Sequence, residues 1–122
     1  MKVVVVSGGF DPIHSGHIAY FKSAKKLGEK LIVALNSDAW LIKKKEKFFM
    51  PFEERKIIVE NMSMVDEVIN FEDDETGSAS QALEKIKGLH PNDEIIFCNG
   101  GDRTKENIPE MQVSNISFEF GV

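Results

Sequence analysis

Apolar residues along the chain fall into continuous runs separated by stretches in which they recur every third or fourth position. Val3 to Val6 is an uninterrupted β-branched run closed by Gly8-Gly9, the pattern of a strand buried on both faces of a parallel sheet. From Ser15 to Leu27 the positions Ile18, Phe21, Ala24 and Leu27 form one apolar stripe between lysines. This predicts an amphipathic helix with Gly28 as its C-terminal cap. Leu31 to Leu35 predicts a second strand, and Asn36-Ser37-Asp38 supplies short polar side chains to cap a helix through Ala39-Trp40-Leu41-Ile42. A lysine-rich loop, Lys43 to Lys47, then leads through Pro51 into a predicted helix from Phe52 to Met62. Val65 to Phe71 predicts a third strand, and an acidic loop follows at 72–75. A helix from Ala79 to Lys87 is expected to stop at Gly88, Pro91-Asn92 marks a turn, and Glu94 to Cys98 reads as a fourth strand. The imperfect alternation from Val113 to Phe120 suggests a fifth.

Strands alternating with helical segments predict an α/β fold, three layers deep (α/β/α), around a five-stranded parallel sheet with right-handed crossovers. Ligands of such sheets bind beyond the carboxyl ends of the strands, which selects the loops after Val6, Leu35 and Cys98. The 122 residues suit one domain, 1–122, without repeats or linkers. A net charge of −5 disfavours a nucleic-acid partner and requires any anionic ligand to be held by a local positive cluster. The single cysteine, Cys98, can form neither an internal disulfide nor a multi-cysteine metal site, so a reducing, cytoplasmic setting is expected. No apolar run reaches membrane-spanning length, and no membrane partner is expected.

The candidate chemistry lies in Ser7-Gly8-Gly9-Phe10-Asp11-Pro12-Ile13-His14-Ser15-Gly16-His17. Gly8 and Gly9 allow close backbone approach, and the loop opens a helix whose N-terminus favours a phosphate. His14 and His17 stand three apart and can aim at the same oxygens, with Gly16 removing a side chain from the gap. The GxGxxG spacing of dinucleotide folds and the Gly-Lys-Ser/Thr of Walker loops are both absent. Asp11, His14 and His17 carry atoms suited to zinc or iron, but no fourth ligand follows at helical spacing. The plain alternative is that both histidines only satisfy backbone groups.

Gly9-Phe10-Asp11 through His14-Ser15-Gly16-His17 resembles the HxGH signature of the cytidylyltransferase-like nucleotidyltransferases, especially the glycerol-3-phosphate cytidylyltransferases and heptose-phosphate adenylyltransferases. The resemblance continues through Ala24 to Gly28, Val33 to Asp38, Glu54-Arg55-Lys56, Val65 to Val68 and Gly100-Gly101-Asp102. It implies a Rossmann-like homodimer that transfers a nucleoside monophosphate from CTP or ATP to a phosphorylated small molecule and releases pyrophosphate, with Mg²⁺ on the triphosphate. His14 and His17 would then donate to the α-phosphate, each contributing on the order of 3 kcal/mol to the transition state. Lys44, within Lys43 to Lys47, and Arg55 would meet phosphates. Without the resemblance, that cluster reads as a solvated face and Arg55 as a helix-surface ion pair. Gly8, Gly9, Phe10, Asp11, Gly16, Gly100, Gly101 and Asp102 would line the nucleotide, and Asp38, Trp40 and Arg103 the second substrate. Asp11 is either a metal partner or a turn former.

The family's C-terminal Ser/Thr-rich motif is absent from this chain. A nucleotide-binding domain without turnover is the rival expectation, and a metal-dependent hydrolase a third. Transfer of CMP from CTP to glycerol 3-phosphate or a sugar phosphate is the reaction the resemblance implies first, since the Asp38-to-Arg55 spacing and its lysine loop resemble the glycerol-3-phosphate cytidylyltransferases. ATP with a heptose or other sugar phosphate is the alternative, since Asn36-Ser37-Asp38 and Gly100-Gly101-Asp102 resemble the heptose-phosphate adenylyltransferases.

Overall fold

Apolar runs that need cover on two sides are satisfied by a central sheet with helices above and below. The structure, a computed structural model, describes residues 1–10, 13–38, 50–71, 80–99 and 117–120. In chain order the elements are β1 (Lys2–Gly8), α1 (Ser15–Lys25), β2 (Lys30–Asn36), α2 (Phe52–Glu60), β3 (Glu67–Phe71), α3 (Ser80–Leu89), β4 (Glu94–Asn99) and β5 (Ser117–Phe120). The five strands lie in the order β3-β2-β1-β4-β5, and every neighbouring pair is parallel.

Side-chain alternation along the strands divides the core in two. Val4, Val6, Leu31, Val33, Leu35, Ile96 and Cys98 face Phe21 and Ala24 of α1 and Val59 of α2. Val3, Val5, Ile32, Ala34, Ile69, Ile95 and Phe97 face Leu83 and Ile86 of α3. The crossovers from β1 to β2 to β3 thus place their helices on one face, and the return to β4 places its helix on the other. This is what crossovers of a single hand produce when the direction across the sheet reverses. The reversal lies between β1 and β4, so a crevice opens there beyond the carboxyl ends of the strands.

Several boundaries differ from those predicted. α1 ends at Lys25, and Gly28 does not cap it in a left-handed conformation: the cap residue is Lys26, in the right-handed helical region. Gly28 serves close approach instead. A Cβ there would stand 2.7 Å from the Lys2 carbonyl oxygen and 2.8 Å from Val4 Cγ2, so its hydrogen lets the turn press against β1. Gly88 does not stop α3, which continues to Leu89. Open space surrounds Gly88, and nothing there forces a break. β3 begins at Glu67, because Val65 donates its N–H to the Met62 carbonyl in the preceding turn. The predicted helix at 39–42, the lysine loop, the acidic loop and residues 113–116 lie outside the described residues.

Candidate active site

The loop after β1 turns sharply at Phe10, whose φ of 51° is left-handed, a conformation that costs a non-glycine residue roughly 1–2 kcal/mol. Burial of the ring holds it there. Phe10 packs edge-on against Phe21, with ring centroids 5.1 Å apart, and against His17 at 5.0 Å. Gly8 makes room for it, since a Cβ at Gly8 would lie 2.9 Å from the ring's Cζ. Phe10 is therefore part of the core and a wall for His17, where a nucleotide contact was expected.

His14 occupies the N-cap of α1 with extended backbone (φ −149°, ψ 178°). Its Nδ1 accepts from the Gly16 N–H at 3.0 Å, and His17 Nδ1 accepts from the His14 N–H at 3.1 Å. This is a capping box built from two histidines, in positions where Ser/Thr and Glu/Gln usually stand. Gly16 is required by it, because a Cβ there would meet His14 Cε1 at 2.8 Å. The cap also fixes chemistry. An imidazole nitrogen that accepts from a backbone N–H carries no proton, so each neutral ring keeps its proton on Nε2, away from the helix backbone. The rings stack at 4.0 Å, tilted by 32°. Desolvation by burial, with the electrostatic cost of a second proton beside His14 as a further cause, lowers the His17 pKa from its ordinary value and favours the neutral ring. The alternatives of backbone satisfaction and ligand donation thus coexist: Nδ1 serves the backbone and Nε2 remains a donor. No acidic residue stands in the first turn of α1 to oppose an anion, and Lys22 and Lys25 complement the dipole at its far end.

Arg55 occupies a different place from either one expected. It is fully buried, neither on the helix surface nor facing outward to a phosphate. Nε donates to the Met50 carbonyl (2.9 Å), Nη1 to the carbonyls of Gly9 and Asn36 (2.8 Å each), and Nη2 to Asp38 Oδ1 (2.7 Å). Phe52 lies against the guanidinium, 5.6 Å from ring centroid to Cζ. Four of its five N–H donors are thereby committed, one to the residue before Pro51 and three to tying the β1 loop to the end of β2 and Asp38 beyond it. Tyr20 makes a similar tie across the crevice, donating its hydroxyl to the Cys98 carbonyl at 3.0 Å. Neither this link nor the buried clamp was anticipated, since a sequence pattern shows that Arg55 is cationic but not that it is enclosed.

The structure therefore gathers Gly8, Gly9, Phe10, His14, Gly16, His17, Asp38 and Arg55 around the carboxyl ends of β1 and β2. Asp11, Trp40, Lys44, Gly100, Gly101, Asp102 and Arg103 lie outside the described residues. Among the described residues, no cluster of three or more His, Cys, Asp or Glu side chains is placed to hold a metal ion.

A model of the cytidylyltransferase-like family matches residues 5–117. The bifunctional proteins HldE of Salmonella arizonae and Salmonella paratyphi B are each 39% identical over 109 residues, covering 88% of this chain. The match takes in 21% of each relative, so the chain spans about a fifth of their length. A lipopolysaccharide core biosynthesis protein from Thermoplasma volcanium superimposes with a TM-score of 0.74 at 21% identity, covering all of this chain and 97% of its own. A Plasmodium falciparum nicotinic acid mononucleotide adenylyltransferase, solved with APC, gives 0.54 at 20% identity over 81% of this chain and 50% of its own. At these identities the solved structures establish the fold.

Proposed function

The chain belongs to the cytidylyltransferase-like family of nucleotidyltransferases, and on that premise we propose that it transfers AMP from ATP to a phosphorylated sugar. A phosphate oxygen of the acceptor attacks the α-phosphorus, the bond to the bridging oxygen of the β-phosphate breaks, and pyrophosphate leaves in line. The observation that supports this most is the histidine capping box, which keeps two Nε2–H donors at a helix N-terminus suited to an anion. As the α-phosphate gains negative charge, both imidazoles strengthen their hydrogen bonds without first having to be organised. Arg55 acts behind them by fixing the Gly9 carbonyl and Asp38. Lys44 and Arg103 are assigned to phosphates, Asp11, Gly100, Gly101 and Asp102 to the nucleotide, and Asp38 and Trp40 to the acceptor. Mg²⁺ belongs to the substrate, as its complex with the triphosphate. A cytoplasmic homodimer completes the reading.

ATP is preferred over CTP because HldE proteins are among the curated relatives matched, and because Asn36-Ser37-Asp38 resembles the heptose-phosphate adenylyltransferase pattern. CTP with glycerol 3-phosphate is the second reading, supported by the pairing of Asp38 with Arg55, whose spacing resembles the cytidylyltransferases. Phosphorus NMR of reactions with each triphosphate, glycerol 3-phosphate and a panel of hexose and heptose phosphates separates them. A nucleoside diphosphate-sugar formed from ATP is expected. Product from CTP alone moves the assignment to the second reading, and the absence of any pyrophosphate-linked product refutes both.

A further inference from the structure

On the α3 face of the sheet, two neighbouring apolar stripes end in polar residues at the carboxyl edge. Val3 and Val5 are followed by Ser7, and Ile32 and Ala34 are followed by Asn36. The register pairs Ser7 with Ala34, so Asn36 stands two residues farther along the adjacent strand on the same pleat. Strand spacing and rise put their Cα atoms about 8 Å apart. Asn36 is only 4% exposed. Its main-chain carbonyl accepts from Arg55, but its side-chain amide has no hydrogen-bond partner among the described residues. The half-buried Ser7 hydroxyl also has none. Buried polar groups are nearly always paired, and a buried carboxamide without a partner among the described residues, at the edge where parallel sheets take their ligands, calls for one.

We infer that Asn36, assisted by Ser7, recognises neighbouring hydroxyl groups of a bound substrate. This rests on the transferase reading and adds a specificity determinant to it. A carboxamide offers one acceptor and two donors, and a serine hydroxyl one donor and two lone pairs, which together match a pair of hydroxyls that each give and accept a hydrogen bond. A phosphate, which only accepts, would leave the Asn36 carbonyl oxygen unpaired. The diol belongs either to the acceptor sugar or to the ribose of the triphosphate.

The test compares wild type with Asn36→Ala, Asn36→Ser and Ser7→Ala. The melting temperature is followed alone and with ATP, 2′-deoxy-ATP, 3′-deoxy-ATP or hexose and heptose phosphates, alongside KM and kcat for each substrate. Because the amide makes no hydrogen bond among the described residues, the ligand-free melting temperature of the Asn36 variants stays near that of wild type, while the ligand-induced rise shrinks. KM for one substrate increases roughly tenfold with a smaller change in kcat, the effect of one lost hydrogen bond to substrate. A loss confined to ATP and absent with the deoxynucleotides assigns the ribose, and a loss confined to the sugar phosphate assigns the acceptor. Variants that bind every probe as wild type does, a wild type stabilised by none of them, or a lowered melting temperature with unchanged KM overturns the inference. Failure of the transferase reading would instead appear as nucleotide- or sugar-induced stabilisation without pyrophosphate release in wild type.

Discussion

Arg55 Nη2 lies 2.7 Å from Asp38 Oδ1, with the guanidinium wholly buried and the carboxylate about one-third exposed. The pair is a hinge pin between the β1 loop and the end of β2, because the same guanidinium holds the Gly9 and Asn36 carbonyls. Replacing Arg55 with Leu strands three carbonyls and an acid, and should cost on the order of 3–5 kcal/mol in urea unfolding. Arg55→Lys, which keeps the charge but loses the planar fork, should cost less in stability while still lowering turnover, since the β1 loop is released.

Gly8→Ala tests the packing under the Phe10 turn. The added methyl would displace a ring enclosed by Phe21 and His17, at about 1–3 kcal/mol for overpacking. Phe10→Ala should cost about 3–5 kcal/mol, less whatever strain its left-handed backbone releases. Denaturant midpoints of the two variants check both values, and turnover should fall in each, because His17 loses its wall.

Acid should destabilise the chain in two stages. His17 has its folded pKa lowered below the ordinary 6.5, so the unfolded state binds the proton first. Its contribution is complete above about pH 6.5 and is lost as pH falls from there through the folded pKa. Asp66 is pushed up by partial burial, but the Lys25 hydrogen bond, the Leu31 N–H and the charges of Lys25 and Lys30 outweigh that and hold it below 3.8. Its contribution is present above 3.8 and declines as pH drops through its lower folded value. Urea midpoints measured against pH for wild type, His17→Gln and Asp66→Asn should show each stage missing from its own variant.

The histidine cap makes a spectroscopic prediction. Long-range proton–nitrogen NMR at neutral pH should find both His14 and His17 in the Nε2–H tautomer. Gly16→Ala, which crowds the His14 ring, should shift the His14 signals and loosen the start of α1 by about 1 kcal/mol, the typical worth of an N-cap.

The parallel sheet was legible because β-branched runs such as Val3 to Val6 need cover on both sides, and the β1–α1 loop because two glycines close the first run and two histidines three apart follow at the start of a helix. Glycine roles were harder to read. Gly28 and Gly88 fall at plausible helix ends, yet one exists for close packing against Lys2 and the other lies within a helix. The burial of Arg55 depends on carbonyls from Gly9 and Asn36, far apart in sequence, which no local pattern can announce. The histidine cap was legible only as one of two rivals: His rarely stands where Ser, Thr or Asp cap helices, so the spacing offered backbone satisfaction and ligand donation as alternatives, and only the Nδ1 geometry joins them.

The most direct test is acceptor-dependent pyrophosphate release from ATP and CTP by wild type, His14→Ala and His17→Ala, with triphosphate binding measured in parallel. Release by wild type, reduced a hundredfold or more in each variant while triphosphate binding falls far less, is the predicted result for two donors that act mainly in the transition state. Equal release by wild type and variants would contradict it.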